Sequence, residues 1–160
     1  MNDPLAYFLT IATYGTWLPG DQRGWVEYRR GWQLPDPVLE LESSCLMSED
    51  ACILDASARN IVQQQLAETC NHRGWILQAA NCRSNHMHAV VTVDSVAARN
   101  VRQDLKAWCT RRLKELIDPD RDNWWAERGS IRWIRDEESL DRVIQYVSEA
   151  QDLKRHKSAE

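Results

Sequence analysis

The sequence predicts an α+β fold: a ferredoxin-like split βαβ antiparallel sheet with one added C-terminal helix. Three observations predict it. Strand-like and helix-like runs follow one another as strand, helix, strand, strand, helix, strand, helix. The middle strand runs, Trp75–Cys82 and His86–Val93, are joined by Arg83-Ser84-Asn85 alone, the short polar link of an antiparallel hairpin. The chain has 160 residues without an internal repeat, enough for a single domain over 1–160 that buries a proper core.

Each element has its own signal. Tyr7 to Tyr14 is rich in aromatic and β-branched residues and reads as a strand. Residues 15–48 read as a long Trp/Gly/Pro-rich loop, with turn residues throughout and Trp17, Trp25 and Trp32 inside it. A loop of that length is functional or disordered, and its tryptophans argue for order. Its tryptophans could stack an unpaired base; the plain alternative is a loop pinned to the core by those same rings. Ser48 reads as a helix N-cap with Glu49 and Asp50 in the first turn, the helix running through Ile53, Ala56, Ile61 and Leu66 to Gly74. A second helix is expected from Ser95 to Ile117, with Val101, Leu105, Trp108, Leu113 and Leu116 as its inner stripe. Ser130–Arg135 is the last strand. Asp136 or Ser139 caps a final helix with Leu140, Val143, Ile144 and Val147 inside, and Lys154 to Glu160 form a frayed polar end.

Composition narrows the function. Five cysteines, odd in number and with no Cys-x-x-Cys pair, argue against a disulfide framework or a zinc knuckle and for reduced thiols in the cytoplasm. No apolar run approaches the length of a membrane span, so no membrane partner is expected. A net charge of −4 speaks mildly against nucleic acid, but the bases are segregated from the acids. Arg99, Arg102, Lys106 and Arg112 share one broad helical face, a candidate track for a DNA backbone, and Arg23 in the long loop is a further candidate contact. The plain alternative for such a face is solvation.

The sharpest chemical signal is His86-Met87-His88 at the start of a strand. Side chains alternate along a strand, so the two imidazoles share one face, one pleat apart, as half of a divalent-metal site. Packed histidines without a metal would spell the same letters. Tyr146 lies at the border of the final helix's buried stripe, about 120° from Leu140 at the regular helical pitch. A free phenol has a pKa of about 10 and needs activation to act as a nucleophile. The plain alternative is an amphipathic packing residue.

These residues together resemble the single-tyrosine HUH transposases, and among them the REP-associated tyrosine transposases. The His86-Met87-His88 triplet matches the family's His-hydrophobic-His signature. Ile134-Arg135-Asp136-Glu137-Glu138 followed by Tyr146 resembles its C-terminal pattern, and Tyr7-Phe8-Leu9-Thr10 with Tyr14-Gly15-Thr16-Trp17-Leu18-Pro19-Gly20-Asp21 resembles the opening of one subgroup. The resemblance covers almost the whole chain. It implies an HUH endonuclease fold and metal-dependent nicking and rejoining of single-stranded or hairpin DNA, with Tyr146 forming a 5′-phosphotyrosine and His86 and His88 holding Mg²⁺ or Mn²⁺. Relatives carry a third ligand one helical turn after the tyrosine, where this chain has Ala150. Glu149, about 60° from Tyr146 around a regular helix, is the favoured replacement, and Gln151, about 140° away, the other candidate. The Asn-Pro pair that commonly follows the tyrosine is also missing. A non-catalytic DNA-binding regulator derived from such an enzyme stays open, as do a homodimer and a tyrosine acting on a partner's site. An RNA-binding sheet is disfavoured because histidines, not paired aromatics, occupy the strand face.

Overall fold

The computed structural model describes residues 3–127 and 129–150. Its main sheet has four strands, β1 (Ala6–Ala12), β4 (Ile76–Cys82), β5 (His86–Thr92) and β6 (Ser130–Ile134), in the spatial order β4-β5-β1-β6 and antiparallel throughout. Helices α2 (Ala56–Arg73) and α3 (Ala98–Leu116) make the two crossovers. This is the expected α+β, ferredoxin-like sheet.

Period two sorts the side chains of β1 and β5 onto two faces. Leu9, Ile11, Met87, Ala89 and Val91 join Val62, Leu66, Val101, Leu105 and Leu113 of α2 and α3 in the larger core. Phe8 and Val90 point the other way and pack with Ala79 and Ile134 against Leu140, Val143 and Val147. Helix α4 (Glu137–Gln145) thus covers part of the second face, where the side chains of His86 and His88 also lie.

The helix ends follow from capping chemistry. Asp55 accepts from the Ala58 amide at 2.8 Å and starts α2; Gly74, at φ +74°, stops it in the left-handed conformation that suits glycine. Asp136 accepts from the Ser139 amide at 2.8 Å and starts α4, with Glu137 and Glu138 in the first turn. That amide bond, followed by the Ser139 hydroxyl, holds the Asp136 carboxyl below its ordinary pKa.

Two expectations are corrected. Ser48 is not an N-cap, and residues 48–55 precede the helix as irregular chain. The Glu49 carboxylate accepts instead from the Asn123 amide at 2.7 Å and its side-chain nitrogen at 2.6 Å, and Ser48 bonds Tyr14. Asp55 takes the cap because these partners already engage the earlier polar residues. The long loop also contains regular structure: a hairpin of β2 (Trp25–Glu27) and β3 (Gly31–Gln33), then helix α1 (Pro37–Cys45), capped by Asp36. Helix α1 has no buried residue, so no apolar stripe marked it in the sequence. The expected frayed end, Lys154 to Glu160, lies outside the described residues.

Cys52, Cys70, Cys82 and Cys109 are buried free thiols and Cys45 is an exposed one. Burial raises the Cys70 thiol to about 11 and Cys82 to about 12, which suppresses thiolate chemistry. Among the described residues no helix is long and apolar enough to cross a membrane.

Candidate active site

The second face of the sheet gathers four rings. His86 and His88 lie with centroids 4.7 Å apart, and Tyr146 of the same chain stands 5.9 Å from His88, tilted by 63°. Phe8, on the neighbouring strand, is 5.3 Å from His88 and 6.4 Å from Tyr146, edge-on to the tyrosine. Ring packing of this kind fixes orientation as well as burying area.

Both histidines are held by their Nδ1 atoms. His86 Nδ1 meets the amide oxygen of Asn85 at 2.8 Å, and His88 Nδ1 meets the Thr10 hydroxyl at 2.9 Å. An amide oxygen only accepts, so His86 carries its proton on Nδ1 and leaves the Nε2 lone pair available. Such outer partners are what orient imidazole ligands. Burial, and then the positive charge of Arg83, lowers the His86 pKa. Burial pushes His88 down to about 4, helped by the charges of His86 and Arg83. Both rings are therefore neutral donors at neutral pH. The pair fits two positions of a divalent ion's donor set, with water and substrate oxygens to complete it.

The site contains residues that the sequence did not single out. Asn81 on β4 is the cross-strand neighbour of His88 on the same face, and its Nδ2 donates to the Val147 carbonyl at 3.1 Å. Arg132 on β6 pairs with Phe8 across the sheet, so it shares the histidine face, and it is exposed. Register alone could have found both, but register needs the strand order.

The helical reading of Glu149 is corrected. Helix α4 ends at Gln145, and Tyr146–Ala150 form a π-helical turn. The wider turn changes where residues beyond Tyr146 point, so the regular 100° step does not carry to Glu149. Glu149 is exposed, and among the described residues no group of three His, Cys, Asp or Glu side chains forms a metal site. Gln151 lies outside the described residues.

The four basic residues predicted on the second long helix are not brought to this site. Arg99, Arg102, Lys106 and Arg112 ride on α3, the layer behind the opposite face. Arg102 donates to the Gly129 carbonyl at 3.0 Å, and Lys106 to the Ala126 carbonyl at 2.9 Å. Burial, with Arg102 nearby, lowers the Lys106 pKa. Arg112 faces Glu115 at 3.7 Å, and Arg99 is exposed. Arg23 is spent within its loop, on the Asp21 carboxylate at 2.7 Å and the Thr16 carbonyl at 2.8 Å.

No family model and no curated protein matches the chain. Solved structures do. A REP-associated tyrosine transposase bound to a REP hairpin superposes with a TM-score of 0.53 at 13% identity, over 91% of this chain and 66% of that one. This chain therefore spans just under two thirds of that protein's length. A Deinococcus radiodurans R1 protein assigned as a transposase superposes with a TM-score of 0.54 at 14% identity, over 92% of this chain and 91% of that one. At such low identity the likeness is one of architecture: the chain has the fold of the tyrosine transposases.

Proposed function

We propose that the protein nicks and rejoins single-stranded DNA beside hairpins, with Tyr146 as nucleophile. The observation that carries this reading is the 5.9 Å approach of the Tyr146 ring to His88, on the sheet face that also bears His86. A phenol on a packed turn next to two neutral imidazoles is the arrangement such chemistry needs. The solved neighbour bound to a REP hairpin supports DNA of that kind as the substrate class.

The Tyr146 hydroxyl attacks the scissile phosphorus and gives up its proton to water. The new bond joins phosphorus to the phenol oxygen, and the bond to the 3′-oxygen breaks. That oxygen leaves and takes up a proton, which gives a 5′-phosphotyrosine and a free 3′-hydroxyl. A second 3′-hydroxyl reverses the step and rejoins the strand without external energy. His86 and His88 would hold Mg²⁺ or Mn²⁺, and imidazole nitrogen favours the manganese ion of the two. Such an ion, when bound, supplies stabilisation of the charge that develops on the phosphate oxygens. Asn85 and Thr10 keep both rings turned toward that task. Arg132, exposed on the same face, is suited to a phosphate of the bound strand.

The test is incubation with hairpin-bearing single-stranded DNA and Mn²⁺, resolved on a denaturing gel. The wild type forms a covalent adduct and Tyr146→Phe, folded by circular dichroism, forms none. An adduct that persists in Tyr146→Phe sinks the assignment. A second reading, a DNA-binding regulator without chemistry, draws support from Ala150, which stands where the resembled family carries its third ligand. It predicts hairpin binding, no adduct in the wild type, and no effect of His86→Ala on affinity.

A further inference from the structure

We propose that the β2–β3 hairpin is a stacking platform for an unpaired base of single-stranded DNA, with Trp32 as the ring the base lies on. The inference takes its ligand class from the DNA reading above and adds a binding site that lies outside the histidine–tyrosine cluster.

Trp32 is built as a platform. Its indole rests against Gly24: a Cβ on that glycine would come within 2.2 Å of Cζ2 and 2.6 Å of Cε2. Gly24 also sits at φ +82°, a conformation that side chains resist. The backbone therefore supports the ring from one side, yet the residue stays 60% exposed. A core-pinning tryptophan would be covered, so the plain reading of this loop does not hold for Trp32. Trp17, by contrast, is already used: its Nε1 donates to the Gly24 carbonyl at 2.8 Å, and the Arg23 guanidinium covers its ring at 4.1 Å.

The hairpin tip supplies charge. Tyr28, Arg29 and Arg30 form the three-residue turn, all exposed, with Arg29 over the Tyr28 ring at 5.1 Å. Arg29 adopts φ +68°, where glycine or asparagine would be at ease. Strain held on an exposed arginine points to a use for its side chain there. Residues 22–33 carry three arginines against Glu27 alone, in a chain of net charge −4. Even with Arg23 neutralised by Asp21, the tip keeps two guanidinium groups against one carboxylate. A flat exposed indole on a hairpin whose tip carries guanidinium groups matches a base flanked by phosphates; an apolar protein surface would leave those charges unanswered.

The hairpin's root also lies at the candidate active site. Arg23 bonds the Thr16 carbonyl, the Thr16 hydroxyl reaches the Asn85 carbonyl at 3.4 Å, and Asn85 holds His86. These bonds anchor the loop that leads into the hairpin at the His86 end of β5.

The test measures binding, not cleavage, by anisotropy of labelled (dT)12 and of a blunt 12-base-pair duplex, using the full chain. Trp32→Ala is expected to weaken (dT)12 binding about tenfold and duplex binding little, given that a stacked base is worth ~1–3 kcal/mol. Trp32→Phe keeps a ring and restores binding to within about threefold. Arg29→Gly relieves the backbone strain, so it is expected to hold or raise thermal stability while weakening (dT)12. Wild-type (dT)12 affinity in both Trp32→Ala and Arg29→Gly overturns the proposal. Equal losses on (dT)12 and duplex overturn it too, as does a Trp32→Ala change from dimer to monomer in analytical ultracentrifugation with (dT)12 affinity unchanged. Because no phosphotyrosine is read, failure of the adduct assay leaves this result standing, and failure here leaves the adduct assay standing.

Discussion

Asn81 ties the sheet to the turn that begins with the candidate nucleophile: its Nδ2 donates to the Val147 carbonyl at 3.1 Å. Val147 is fully buried and Tyr146 precedes it directly. A π turn departs from the regular helical bonding pattern, and a side-chain donor at that point gives one of its carbonyls a partner. Asn81 is also the cross-strand neighbour of His88. One side chain therefore sets the turn and the histidine strand in register.

Asn81→Leu follows from that bond. It keeps the number of side-chain heavy atoms and removes the donor from the Val147 carbonyl. The expected cost is about 1–3 kcal/mol in chemical denaturation. Adduct formation should slow by more than DNA affinity falls, because the phenol loses its fixed place while phosphate contacts remain. Equal losses in both would mark Asn81 as a purely structural residue.

Metal affinity should depend on both imidazoles. Titration of Mn²⁺ into the protein, followed by the electron paramagnetic resonance signal of the free ion, should show binding by the wild type and its loss in His86→Ala and His88→Ala. Asn85→Ala removes only the partner of His86 Nδ1 and should weaken binding about 10–100-fold, the usual effect of losing an outer partner. Unchanged affinity in His88→Ala would place the ion elsewhere.

The pH dependence of stability has a defined sign. Both histidines have pKa values below the ordinary 6.5, His88 at about 4, so the unfolded chain binds protons that the folded one refuses. Their contribution is complete above pH 6.5 and drains away as pH falls toward 4. Urea midpoints of metal-free protein should therefore decline from pH 6.5 to 5, a range where most carboxylates are still ionised. His88→Gln should flatten that decline; a midpoint that rises on acidification would contradict the burial.

Arg102 and Lys106 give a prediction opposite to the one their sequence pattern suggests. Their donors hold the Gly129 and Ala126 carbonyls, beside the entry to β6. Alanine at either position should lower the melting temperature and leave the salt dependence of DNA binding unchanged. A shallower salt slope would restore them to a phosphate track.

The sequence by itself determined the sheet and the pairing of the histidines. Period two puts His86 and His88 on one face wherever the strand goes, and Gly74 and Asp136 mark helix ends by local chemistry alone. What only the tertiary structure decided depends on contacts far apart in the chain. Ser48 and Glu49 look like a cap until Tyr14 and Asn123 engage them. Arg102 and Lys106 look solvated until the segment before β6 folds onto α3. Glu149 looks about 60° from Tyr146 around a regular helix until the π turn widens the spacing. Trp32 reads first as a ring that pins its loop to the core, and its seat on Gly24 leaves it exposed. Local propensity and periodicity act over a few residues; a side chain's partner is set by whichever distant atom the folded chain brings within hydrogen-bonding reach.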